Sequence, residues 1–104
     1  MIREVIYQRD FLLEENKRIV LKLIKVKKDQ NFPKGIEFAI QYLYFNNNKW
    51  VQIARIDNQL HKGKAGTHIH IINKRVKRKN LTFQEARKEI IKIAERAIKW
   101  LELN

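Results

Sequence analysis

Between Ile2 and Asn73 apolar and polar positions alternate in short runs broken by turn residues, the period of two that marks half-buried strands. Ile2–Arg9 is the first run, with Ile2, Val5, Ile6 and Tyr7 apolar. Arg18–Lys28 is longer: Ile19, Leu21 and Leu23 share a face, while Ile24 and Val26 lie on the other. That shift predicts a bulge or an amphipathic edge. Asp10–Lys17 reads as a turn or a short helical turn, and Asp29–Gly35, which contains Asn-Phe-Pro-Lys-Gly, as a loop. Ile36–Phe45 sets Ile36, Phe38, Ile40, Tyr42 and Tyr44 against Glu37, Ala39, Gln41, Leu43 and Phe45, a strand with one buried face. Asn46-Asn47-Asn48 tolerates left-handed backbone angles, so Trp50–Asp57 returns as a hairpin partner. Thr67–Asn73 is the fifth strand.

After Asn80 the period changes to that of a helix. Thr82 is the expected N-cap, and Glu85 three residues on completes a capping box. Ala86, Ile90, Ile93, Ala94, Ala97, Ile98 and Leu101 form one apolar stripe with Lys and Glu opposite. Strands joined by turns and followed by one amphipathic helix predict an α+β fold: an antiparallel sheet of four to five strands with the C-terminal helix packed on one face. The 104 residues suit one domain, 1–104, with a single modest core.

Composition adds a partner class. A net charge of +12 exceeds what solubility needs and points first to nucleic acid, then to acidic proteins or anionic membrane surfaces. The absence of cysteine removes disulfides, thiolate metal sites and Cys nucleophiles, and fits a reducing cytosol. The longest charge-free run, Phe38 to Asn48, is too short to span a bilayer, and the N-terminus has no apolar secretory core. A soluble cytoplasmic protein without a membrane partner is the expectation.

All three histidines, His61, His68 and His70, fall just after Asp57, and no acidic residue follows Asp57 until Glu85. If Ile69 and Ile71 face the core with Ala54 and Ile56, then Arg55, Asp57, His68 and His70 share the other face. A register pairing Asp57 with His68 and Arg55 with His70 satisfies this, and a one-residue slip breaks it. Four ionisable side chains would then gather on an open sheet face, with His61 and Lys62 folded over them from the Asn58–Gly66 loop. Metal-free RNA cleavage needs a base for the 2′-hydroxyl, an acid for the leaving oxygen and a cation for the developing phosphorane charge. His68 and His70 could be acid and base, Asp57 could orient a histidine, and Arg55 with Lys62 could stabilise the phosphate. His-x-His on a strand is equally a recurrent metal pair, which Asp57 or His61 could complete. Against that, the surrounding lysines and Arg55 would repel a cation, so no metal or other cofactor is expected. The plain alternative is a solvated strand face with no chemistry.

Lys62, Lys64, Lys74, Arg75, Lys77, Arg78 and Lys79 surround the histidines in the sequence and are candidate phosphate contacts. Lys17, Arg18, Lys22, Lys25, Lys27 and Lys28 form a second basic strip, expected on a sheet edge where lysines discourage aggregation. Tyr42, Tyr44 and Trp50 could stack on bases, but Trp50 is expected in the core. Gly63 and Gly66 form no nucleotide-binding fingerprint.

Arg55-Ile56-Asp57-Asn58, then His61 and Thr67-His68-Ile69-His70, resembles the signature of TumE-type toxins of toxin–antitoxin modules. That pattern runs roughly Arg-x-Asp-Asn, a short variable loop, then a His-rich strand, inside a strand-rich domain closed by a helix. The resemblance covers mainly Trp50 to Lys74. It implies a growth-inhibiting toxin, neutralised by a cognate helix-turn-helix or acidic antitoxin, that acts on RNA. Two rivals stand beside the endoribonuclease: a non-catalytic RNA- or DNA-binding module, and a structural partner of an acidic subunit.

Overall fold

A computed structural model describes residues 3–60 and 65–103. Six strands follow one another as an antiparallel meander: β1 (Glu4–Glu14), β2 (Lys17–Lys25), β3 (Ile36–Asn46), β4 (Lys49–Asp57), β5 (His68–Ile71) and β6 (Lys77–Arg78). One helix, α1 (Phe83–Leu103), closes the chain. The fold is therefore α+β, an open antiparallel sheet with one C-terminal helix packed against it.

Strand alternation sends Ile19, Leu21, Phe38, Ile40, Tyr42, Ala54, Ile56 and Ile69 to one face of the sheet. There they meet Ala86, Ile90, Ala94 and Ile98 of α1 in a single core. Burying an aliphatic side chain of this size contributes roughly 1.5–3 kcal/mol, and this one seam is the main source of stability. Thr82 and Glu85 cap α1 reciprocally, with Thr82 N–H donating to Glu85 Oε1 at 2.9 Å and Glu85 N–H to Thr82 Oγ1 at 3.1 Å. Asn47 and Asn48 both have positive φ, 52° and 62°, so β3 and β4 are joined by the two-residue turn that matches sheet twist. Gly35 (φ 68°) admits no side chain, since a Cβ there would lie 3.0 Å from the Val26 carbonyl oxygen.

Several expectations need correction. Asp10–Lys17 is not a separate turn; β1 runs on to Glu14, because Phe11 continues its core-facing row opposite Ile19 and the Asp10 carboxylate forms an ion pair with Arg18 of β2. β2 keeps an unbroken register with β3, and the irregularities lie opposite it in β1, between Val5 and Tyr7 and between Leu12 and Glu14. Lys17, Arg18, Lys22 and Lys25 of the second basic strip are not on an edge, because β2 is paired with β1 on one side and β3 on the other; Lys27 and Lys28 lie beyond the end of β2. β6 was not foreseen, since a two-residue strand of Lys77 and Arg78 has no apolar alternation to announce it. Trp50 is not in the core. It sits half-buried on the helix-free face, with the Phe45 ring 5.2 Å away at 86° and the Arg18 guanidinium 5.5 Å from its ring centroid.

Candidate active site on the helix-free face

The ladder between β4 and β5 pairs Asp57 with His68, Ile56 with Ile69, Arg55 with His70 and Ala54 with Ile71, as the alternation predicts. Directly opposed residues of antiparallel strands share a face. With Ile56 and Ile69 in the helix-side core, Arg55, Asp57, His68 and His70 all project from the other face. Continuing the registers outward sets Lys22, Ala39, Asp57, His68 and Arg78 in one cross-strand row and Gln41, Arg55 and His70 in the next.

Asp57 is the hub. Its Oδ2 accepts from Arg55 Nε at 2.9 Å and lies 3.5 Å from His70 Nε2. Its Oδ1 accepts from the Gln59 backbone N–H at 3.1 Å and lies 3.8 Å from His68 Nδ1. Arg55 also donates from a terminal nitrogen to Gln59 Oε1 at 2.7 Å. Asn58 anchors the turn: it accepts from the Phe38 N–H at 2.7 Å and donates to the Ile36 carbonyl at 2.8 Å. These bonds tie the chain leaving β4 to β3, and so fix the backbone that carries Asp57.

The face is not open, which corrects the expected picture. The Asp57 side chain is 6% exposed and that of His68 1%, whereas His70 keeps 27% and Arg55 29%. β6 gives His68 an outer neighbour in Arg78, and the Arg78 guanidinium donates to the Ala65 carbonyl beside it. Only His70 and Arg55 of the four therefore reach solvent to a useful degree. His68 is enclosed beside Asp57.

The basic run is divided by strand alternation. Arg78 lies in the Asp57–His68 row, whereas Lys77 opposes Ile69 and so projects on the helix side, where Lys74 and Lys79 line a groove against α1. Arg75 is exposed. His61, Lys62 and Lys64 lie outside the described residues. Gln59 was missed by sequence reasoning; the signal was its place two residues after an aspartate, where an Asx turn brings the N–H onto the carboxylate.

Among the described residues no set of three His, Asp or Glu side chains is arranged to hold a metal ion, and Arg55 occupies the Asp57 oxygen nearest His70. Nor do the four residues line either of the two main cavities, about 500 and 770 Å³. No described helix is long and apolar enough to cross a membrane.

Residues 7–103 match the family model described as Domain of unknown function (DUF7718), and the chain belongs to that family. No curated protein and no solved structure matches it.

Proposed function

We propose that this DUF7718 chain acts on RNA as a metal-independent endoribonuclease and is the toxin of a toxin–antitoxin pair. The observation that carries the catalytic part is the buried Asp57 carboxylate, held by Arg55 and Gln59, with the half-exposed His70 imidazole 3.5 Å from it. A carboxylate in that position orients the ring, and imidazole is the side chain suited to proton transfer near neutral pH. Arg55 keeps N–H donors beyond the two it spends on Asp57 and Gln59, and these can meet a phosphate oxygen as negative charge grows there.

His70 takes the proton from a ribose 2′-hydroxyl, the 2′-oxygen bonds to phosphorus, and the bond from phosphorus to the 5′-oxygen breaks. The leaving oxygen receives a proton from a second group, for which His61, four residues after Asp57 in the sequence, is the candidate. The products are a 2′,3′-cyclic phosphate and a 5′-hydroxyl. His68 acts through Asp57 as a positioning residue. The toxin assignment, the cognate antitoxin partner and a cytoplasmic site of action rest on the resemblance of Arg55-Ile56-Asp57-Asn58 and Thr67-His68-Ile69-His70 to the TumE pattern, together with the +12 charge.

The second reading is a non-catalytic RNA- or DNA-binding module. The burial of His68 favours it, because only one of the two strand histidines is then accessible for proton transfer. Incubating the pure protein with total RNA in EDTA, followed by analysis of fragment ends, separates the two. Fragments ending in cyclic phosphate support the nuclease; intact RNA that co-migrates with the protein supports the binding module.

A further inference from the structure

On the opposite side of the sheet from Asp57, a groove of about 500 Å³ runs between α1 and the β5–β6 hairpin. Its floor is aliphatic, formed by Ile69, Ile71, Ile72, Ile93, Ala97 and Leu101. Its rim carries Lys74, Lys77, Lys79 and Arg96 against one carboxylate, Glu89, which is 3.9 Å from Lys79. Lys74, Lys77 and Arg96 form no ion pair among the described residues. Trp100 stands at the groove 62% exposed, the most exposed of the described large apolar side chains.

We infer that this groove docks an acidic amphipathic segment of a protein partner, its apolar side chains on the aliphatic floor and Trp100, its carboxylates on the cationic rim. Charge complementarity selects the sign of the partner. The floor selects its kind: a nucleic-acid strand needs cations and stacking rings, and here one indole stands among six aliphatic side chains. An amphipathic helix supplies what the groove lacks, an apolar stripe flanked by negative charge. A large aromatic side chain beside such a floor is the usual energetic anchor of an interface. The inference does not depend on whether the Asp57 site cleaves RNA.

The test uses a synthetic helical peptide with Leu at i, i+3, i+4 and i+7 and Glu on the other face, titrated into the intact protein and followed by NMR. Its controls are the same composition scrambled, a Lys-for-Glu version, and a single-stranded RNA oligonucleotide of equal charge. Shifts confined to Ile69, Ile71, Ile93, Ala97 and the Trp100 indole, given by the Glu peptide alone, are expected. Lys74, Arg96 and Trp100 are exposed, so their variants keep the fold. Trp100→Ala should weaken binding roughly tenfold, and Lys74→Glu with Arg96→Glu at least as much. Equal binding of the scrambled peptide would overturn the inference in favour of unspecific charge attraction. Preferential seating of the RNA in the groove would overturn it in favour of a nucleic-acid surface.

Discussion

Replacing Asp57 by alanine removes the carboxylate that accepts from both Arg55 and the Gln59 amide. Arg55 Nε at 2.9 Å and the Gln59 N–H at 3.1 Å lose their partner, and the His68 and His70 nitrogens lose the carboxylate at 3.8 and 3.5 Å. The groups differ in how far water can replace it. Arg55 is exposed enough to be rehydrated, so its part is small. The half-buried Gln59 amide can be rehydrated only in part. A hydrogen bond to a charged acceptor contributes about 1.5–3 kcal/mol, and stranding buried polar groups adds to that, so the expected loss is about 2–4 kcal/mol. For a domain of this size that lowers Tm by about 10–25 °C. Urea unfolding of the wild type, Asp57→Ala, Arg55→Met and the double variant forms the assay. A coupling between the two sites of about 1 kcal/mol is expected, smaller than the loss from Asp57 alone. A loss in Asp57→Ala below about 0.5 kcal/mol would place the carboxylate among ordinary surface groups and remove the physical basis of the site.

Three further outcomes are expected. The Tyr42 hydroxyl is buried without a hydrogen-bond partner among the described residues, and burial pushes its pKa up. The unfolded state therefore loses its proton first, and stability falls as pH rises above about 10; in Tyr42→Phe that part of the alkaline slope disappears and Tm at pH 7 is unchanged or higher, whereas a large loss at pH 7 would reveal an unrecognised partner for the hydroxyl. Glu85 is held below its ordinary value by the backbone N–H and then the hydroxyl of Thr82; its contribution is present above the ordinary glutamate range and lost as pH falls towards the lowered value, so Glu85→Gln should flatten the acid limb of a pH–Tm series, and an unchanged limb would mean the capping box does not form. Arg78 lies in the Asp57 row and Lys77 on the opposite side; Arg78→Ala should reduce the salt slope of RNA affinity by about 0.7 and Lys77→Ala should leave it unchanged, and the reverse pattern would place the RNA on the helix side.

The register that assembles the site was legible because Ile69 and Ile71 alternate with His68 and His70 while Ala54 and Ile56 alternate with Arg55 and Asp57. Only one pairing buries both apolar sets. The helix was equally plain, since its cap and its stripe agree. What alternation does not encode is how deeply the non-core face is covered. His68 is buried because a two-residue strand and an arginine bonded to a loop carbonyl flank it, and neither leaves a periodic signal. Trp50 was misplaced for a related reason. The register shift between Tyr42 and Leu43 puts Ile53 into the core and Trp50 on the far face beside Arg18. Asn58 and Gln59 went unassigned because their roles are local bonds at a strand end rather than positions on a face.

The most direct measurement is single-turnover cleavage of a short single-stranded RNA, with affinity measured in parallel, for the wild type and His70→Ala in EDTA. A proton-transfer role for His70 predicts a cleavage rate lower by about 10²–10⁴ with affinity nearly unchanged, because the imidazole acts mainly in the transition state. Cleavage at the wild-type rate by His70→Ala would contradict it.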